Sequence, residues 1–311
     1  MNEETQRVGI VGAGALGALY ASHFAQCGTL DVFFVAAGSR AERLRKDALY
    51  VNGEVLHCNV IDAAAYSDLP MDLIIIAVKH HHLDAALLEI GSLVGKNTLF
   101  LSVLNGLQSE EQIAHQYGAE KCLYCVAQGM DAVKEGSSVR FCKSGVLRFG
   151  AADNTEVDDR VRRLQVLLDL AGLAHETPPN MLHALWFKFM INVGVNQASA
   201  ILRANYGKFK TSDDARSLMD ALMAEVISIS GPAGVHLEEE DMKRWHTILQ
   251  GMNDEGKTSM LQDVEAGRPT EVDIFAGHVI TLGVEYGIAT PTNQAVYHIL
   301  RVLSDQDSQR G

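Results

Sequence analysis

Apolar residues in the first 150 positions come in unbroken runs rather than at every second place. "RVGIV", "DVFFVAA", "MDLIIIAV" and "NTLFLSV" are such runs. A strand that is apolar on both sides lies buried between two layers, as in a parallel sheet. The first run leads through a glycine turn into the helical pattern "ALGALYASHFAQCG". The third and fourth lead in the same way into "KHHHLDAALLEIGSLV" and "LNGLQSEEQIAHQYG". After the second comes a polar, arginine-bearing segment, "GSRAERLRKDALYVNGEVLHCNVI", which reads as a short helix and a hairpin. "KCLYCVAQGM" and "VRFCKSGVLRFG" read as further strands closing this half. Strands alternating with amphipathic helices predict an α/β domain with helices on both faces of a parallel sheet.

The pattern changes after about Ala171. Pro178-Pro179 breaks the chain, and from Met181 onward strand signals vanish. Helical periodicity predicts helices over 181–203, 213–231, 238–251, 257–266 and 270–287, and a last one from about Pro291. The expected division lies between 175 and 180, giving a sheet domain over 1–177 and an all-α domain over 178–311.

Inside the first of these helices, "LWFKFMINVGVNQ" is apolar almost throughout, yet Lys188, Asn192 and Asn196 recur every four residues. A spacing of four advances about 40° around a helix, so the three side chains form one stripe. A buried ammonium or carboxamide is costly unless something pairs with it. Such a stripe predicts a ligand.

Composition narrows what that ligand is. The chain has 311 residues, 47% hydrophobic and 21% charged, which suits two globular domains. A formal net charge of −13, with no basic run or tail, argues against nucleic acid and anionic membranes. No stretch has the length of an apolar membrane span, and "MNEETQRVGIVGAG" lacks the pattern of a secretory signal. Five cysteines (Cys27, Cys58, Cys122, Cys125 and Cys142) are an odd number that fits a reducing cytoplasm. In "CLYC" a spacing of three within a strand puts Cys122 and Cys125 on opposite faces, as packing groups.

"GAGALG" places Gly12, Ala13, Gly14, Ala15, Leu16 and Gly17 between a strand and a helix as G-x-G-x-x-G, a Rossmann-type dinucleotide turn. Gly12 permits the turn, Gly14 lets the backbone approach a pyrophosphate, and Gly17 allows close helix packing. The helix N-terminus then offers N–H groups to the phosphates. An acidic residue is expected at the end of the second strand to hold the ribose hydroxyls of NAD. Ala36, Ala37 and Gly38 stand there instead, followed by Arg40, Arg43 and Arg45. This favours NADP(H), with Arg40 or Arg43, three residues apart on one helix face, as the partner of the 2′-phosphate.

A second polar island is "TSMLQDVEAGRPTEVD". Thr270 and Asp273 make an S/T-x-x-D start signal, which puts Glu271 in a first helical turn. Four blocks, "VGIVGAGALG", "VLNG", "LWFKFMINVGVNQASAI" and "SMLQDVEAGRPTEVD", together resemble the ketopantoate reductase (2-dehydropantoate 2-reductase) family in order and spacing. That resemblance implies a Rossmann half joined to a helical half like that of 6-phosphogluconate dehydrogenase, with the active site in the cleft between them. It implies NADPH-dependent reduction of ketopantoate to (R)-pantoate, on the route to pantothenate and coenzyme A. Lys188 would be the general acid. Glu271 would hold the substrate's terminal hydroxyl, and Asn192, Asn196 and Ser259 would bind its polar groups, Ser259 near the carboxylate. Asn105 would sit beside the nicotinamide end, and Lys79 would approach cofactor and substrate.

Three positions depart from the family pattern. Ala37 stands where an arginine is frequent, and Gly256 and Ala276 stand where asparagines occur. Two alternatives therefore stay open: a paralogue acting on another 2-oxo acid or an imine, and a non-catalytic NADP(H) sensor. His80, His81 and His82 are consecutive and cannot all face one ion, so no metal is expected. A homodimer through the helical half is compatible with the sequence, which marks no patch for it.

Overall fold

The computed structural model describes residues 6–65 and 70–308. The chain forms two compact units, Met1–Ala184 and Leu185–Gly311.

The first unit is built on an eight-stranded sheet. In chain order its strands are β1 (Arg7–Val11), β2 (Asp31–Ala36), β5 (Asn59–Asp62), β6 (Met71–Ile76), β7 (Val94–Ser102), β8 (Cys122–Met130), β11 (Ser144–Gly150) and β12 (His175–Glu176). The order across the sheet is β12-β11-β8-β7-β6-β1-β2-β5. From β5 to β8 all neighbours are parallel; β11 lies antiparallel to β8, and β12, parallel to β11, closes the edge. Helices α1 (Ala15–Gln26), α2 (Ser39–Lys46), α3 (Leu83–Glu89), α4 (Gln108–Tyr117) and α5 (Asp159–Leu170) complete it.

The unbroken apolar runs are explained by two cores, one on each side of the sheet. Val8, Ile10, Leu73, Ile75 and Cys125 face a core shared with Leu19 of α1 and Leu164 and Leu168 of α5. Val11, Ile74, Ile76 and Cys122 face the other, shared with Leu83 and Leu87 of α3 and Ile113 of α4. The two thiols of "CLYC" thus belong to opposite layers, and burial pushes both up. A second, four-stranded sheet has the order β4-β3-β10-β9. It consists of β3 (Tyr50–Val51), β4 (Glu54–Val55), β9 (Val133–Glu135) and β10 (Ser138–Arg140). The β3–β4 hairpin turns at Asn52-Gly53, both at positive φ, the backbone such a tight turn requires. "VRFCKSGVLRFG" therefore divides between two sheets, β10 in the small one and β11 in the large.

Glu110, at the start of α4, is a buried carboxyl in this unit. It accepts a hydrogen bond from Ser109 Oγ at 2.8 Å and from the Cys125 N–H at 3.3 Å. Burial pushes its pKa up to about 7. The native state therefore holds this proton more tightly than the unfolded chain, and stability falls as pH rises from about 4.5 through 7. Glu110→Gln keeps the acceptor for Cys125 and should remove that fall, giving a higher Tm than the parent at pH 8. Thermal melts of both proteins from pH 5 to 8 check this; parallel profiles would count against it.

The second unit is helical. Its helices are α6 (Met181–Ile191), α7 (Gln197–Leu202), α8 (Tyr206–Thr211), α9 (Asp213–Ser230), α10 (Glu239–Gln250), α11 (Ser259–Glu265), α12 (His278–Tyr286) and α13 (Pro291–Ser308). A π-helical turn, Asn192–Asn196, joins α6 to α7, and another, Asp273–Gly277, precedes α12. Phe189, Met219, Leu222, Met223, Val226, Phe275 and Val279 form the centre of its core. Gly194 lets α9 come close: a Cβ there would lie 2.4 Å from Met223 Cε. No helix of the described residues is long and apolar enough to cross a membrane.

Candidate active site

In the first unit the glycine turn lies between β1 and α1. Gly12 has φ +109°, and a Cβ on it would fall 2.6 Å from the Ala77 carbonyl oxygen. A Cβ on Gly17 would fall 1.8 Å from the Gly12 carbonyl oxygen, so the first turn of α1 rests directly on the loop backbone. At Gly14 a Cβ would meet nothing nearer than the Ala77 oxygen at 3.8 Å. Packing does not require glycine there, and the room it leaves is at the N-terminal end of α1. That helix has no side-chain cap and no acid in its first turn. The N–H groups of Ala15, Leu16 and Gly17 lack intrahelical partners by construction. Such a cradle fits a pyrophosphate.

At the end of β2, Ala36 pairs in register with Asp62 of β5. The Asp62 Oδ1 accepts from the N–H groups of Gly38 at 3.2 Å and Ala64 at 3.1 Å, tying down the loop that leads into α2. Arg40 is engaged: its guanidinium pairs with Glu89. Arg43 is exposed and has no ion pair among the described residues. Lys134 escaped the sequence reading. It lies on β9, far away in the chain, and its Nζ donates to the Ala13 carbonyl oxygen at 2.5 Å. Only the sheet pairing places it there.

Lys79 is exposed just after β6 and precedes a 3₁₀ turn, His80–His82. Asn105 is half-buried after β7. A chain of hydroxyls supports its loop: the Leu104 N–H donates to Ser102 Oγ, which donates to Ser109 Oγ, which donates to Glu110.

In the second unit, Lys188 is half-buried on α6, where its chain neighbours Leu185, Trp186, Phe187, Phe189 and Met190 are buried. No hydrogen bond or ion pair reaches its ammonium among the described residues, and burial alone brings its pKa down to about 8. One turn on, Asn192 is 3% exposed and Asn196 7%. The Asn196 Nδ2 donates to the Asn192 Oδ1 at 3.4 Å, while the Asn192 Nδ2 is buried without a partner. The π turn widens the helix where the four-residue spacing would otherwise drift, and such turns are frequent at functional sites. It also aligns the next residue: Gln197, fully buried, donates to the Val193 carbonyl at 2.8 Å and to Asn293 Oδ1 at 3.2 Å. Its Oε1 accepts from the Ala276 N–H at 3.0 Å, so one amide ties the two π turns together.

Glu271 is half-buried immediately before the second π turn. The expected capping box does not form. Asp273 instead accepts from the Tyr297 hydroxyl at 2.9 Å, and Thr270 Oγ1 is buried without a partner. Ser259 is exposed in the first turn of α11; its neighbour Thr258 is the buried cap, accepting from the Leu261 N–H and touching Ser199 Oγ at 2.5 Å. Gly256 packs on Tyr206, leaving 2.9 Å between a Cβ and the ring.

Comparison with known proteins gives the same outline from outside. The model of "Ketopantoate reductase PanE/ApbA" matches residues 8–154, and that of its C-terminal domain matches 180–304. The 2-dehydropantoate 2-reductase of Mesorhizobium japonicum is 27% identical over 96% of this chain and 98% of its own. Among solved structures, D-mandelate dehydrogenase with NADH and anilino(oxo)acetate superposes with a TM-score of 0.85 at 22% identity, over 97% of this chain and 100% of its own. The dimeric ketopantoate reductase of Staphylococcus aureus superposes at 0.79 and 22% identity, over 97% and 99%. The two solved structures share the fold; the two family models cover most of the sequence, and the chain belongs to the ketopantoate reductase family.

Proposed function

We propose that this chain is an NADPH-dependent reductase of 2-dehydropantoate, forming (R)-pantoate. The observation that carries this reading is Lys188: an ammonium with no partner, among apolar side chains, one turn from an unsatisfied buried amide. Reduction of a 2-oxo acid builds negative charge on the ketone oxygen. When bound, a dihydronicotinamide would supply the hydride that the ketone carbon needs. Lys188 donates its proton to the ketone oxygen, leaving a neutral amine that regains a proton from solvent. The Asn192 Nδ2 has an unused donor for a substrate oxygen, and Asn196 holds the Asn192 carbonyl oxygen by donating to it. Ser259 binds near the carboxylate, and Asn105 and Lys79 lie at the nicotinamide end of the cofactor. The stacked backbone of Gly12, Ala13, Gly14, Ala15, Leu16 and Gly17 receives the pyrophosphate. Free thiols on all five cysteines suit the cytoplasm. The dimer named for the S. aureus enzyme leads us to propose a homodimer through the helical unit, measurable by light scattering.

NADPH consumption with a panel of 2-oxo acids, with and without a 4-hydroxyl, tests the assignment. Preference for a 2-oxo acid without that hydroxyl, such as the mandelate precursor, would instead favour the paralogue reading. Glu271 is the residue assigned to the hydroxyl. Glu271→Ala should lower kcat/KM for ketopantoate roughly 10- to 100-fold more than for acids lacking the hydroxyl, because only the former loses a buried partner. Equal losses would reduce Glu271 to a residue of the helix start.

A further inference from the structure

Several cations of this acidic chain are matched by carboxylates. Arg148 pairs with Glu176, Arg160 with Asp158, Lys210 with Asp254 and Arg268 with Asp263. Two that are not matched are Lys134, hydrogen-bonded to the dinucleotide turn, and Arg43, on the helix that follows β2. Lys134, brought by the small sheet, lays its ammonium on the Ala13 carbonyl at 2.5 Å and makes no ion pair among the described residues. Its pKa is lowered, first by burial and then by the Arg43 guanidinium nearby. Arg43 comes from α2, the helix that follows β2, and the end of that strand is where a Rossmann unit meets the adenosine ribose. Two like charges near each other repel unless an anion comes between them. An ammonium has three donors, and only one is used here.

We infer that Lys134 and Arg43 together receive the 2′-phosphate of NADPH, with β9 acting as the arm that carries Lys134 to the dinucleotide turn. This rests on the reading of the chain as an NADPH-dependent reductase, and it adds Lys134 to the arginines of α2 as a partner of the phosphate. Lys134 approaches the loop from its carbonyl side, whereas the pyrophosphate cradle is made of the N–H groups of Ala15, Leu16 and Gly17. Its selectivity is therefore for the ribose phosphate rather than for dinucleotides in general. Asp62, the nearby acid, is held on the loop backbone through Oδ1, which accepts from the Gly38 and Ala64 N–H groups.

The test is binding to the protein without substrate, by calorimetry or by quenching of protein fluorescence. The titrants are NADPH, NADH, adenosine 2′,5′-bisphosphate and 5′-AMP. Lys134→Ala and Arg43→Ala should each weaken NADPH and adenosine 2′,5′-bisphosphate about tenfold, leaving NADH and 5′-AMP unchanged. Lys134→Arg should restore most of the loss, and Tm should not move. A parallel loss of NADPH and NADH would put Lys134 at the pyrophosphate and overturn the inference, as would no loss at all. If the parent protein binds NADH and NADPH equally, the NADPH reading itself fails. If the parent prefers NADPH and the variants keep that preference, only the inference about these two residues fails.

Discussion

Lys188→Ala should lower kcat by roughly 10²- to 10⁴-fold, the usual contribution of a positioned general acid, while NADPH binding stays within about twofold of the parent. The pH dependence follows from the same residue. Burial holds the ammonium at about 8, so the acid is present below that pH and lost as pH rises through it. The parent should show kcat falling above pH 8, and Lys188→Ala should lose that limb. Lys188→Met separates chemistry from structure. A charged ammonium buried in this unit costs stability at neutral pH, because its folded pKa lies below its unfolded one. Between pH 8 and about 10.5 the unfolded chain binds the extra proton, so this cost fades as pH rises. The Met variant should therefore be inactive yet melt at or above the parent Tm at pH 7. Full activity in either variant would remove Lys188 from the reaction; a large fall in Tm for the Met variant would make it a structural residue.

How far such residues can be read from sequence depends on whether chain neighbours or distant strands bring them together. The Lys188, Asn192 and Asn196 stripe was legible because four-residue spacing on one helix is a local property. The sheet was legible too, since strands buried on both faces carry no polar alternation. The π turns were not: an extra residue in a helical turn changes hydrogen-bond partners without changing composition. Helix α5 and the split of "VRFCKSGVLRFG" between two sheets were missed because "CKS" gives no stronger break than many strand interiors. Gln197 and Lys134 were missed for another reason. Their partners, Ala276 and Ala13, are 79 and 121 positions away, and only the folded chain supplies them.

Replacing single glycines of the dinucleotide turn should divide folding from binding more sharply than any charge change. Gly17→Ala puts a methyl group 1.8 Å from the Gly12 carbonyl oxygen. Both atoms belong to backbone fixed between β1 and α1, so neither can step aside as a flexible side chain would. This variant should lose several kcal/mol of stability, on the order of a severe overpacking change, and melt far below the parent or fail to fold. Gly14→Ala is the contrast. Its φ of −77° and ψ of −167° are extended backbone that any residue adopts, and its Cβ would make only ordinary contacts. The apo protein should melt within about 2 °C of the parent, a change of well under 1 kcal/mol. The methyl nevertheless occupies the N-terminal end of α1, where the pyrophosphate has to approach the backbone. Affinity for NADPH and for NADH should fall together, by at least about tenfold each, since the pyrophosphate is common to both. Differential scanning calorimetry of the apo variants and titration with each dinucleotide measure the two effects separately. Parent-like affinity for both cofactors in Gly14→Ala would mean that the phosphates do not sit on this helix end, and it would remove the turn from the binding site.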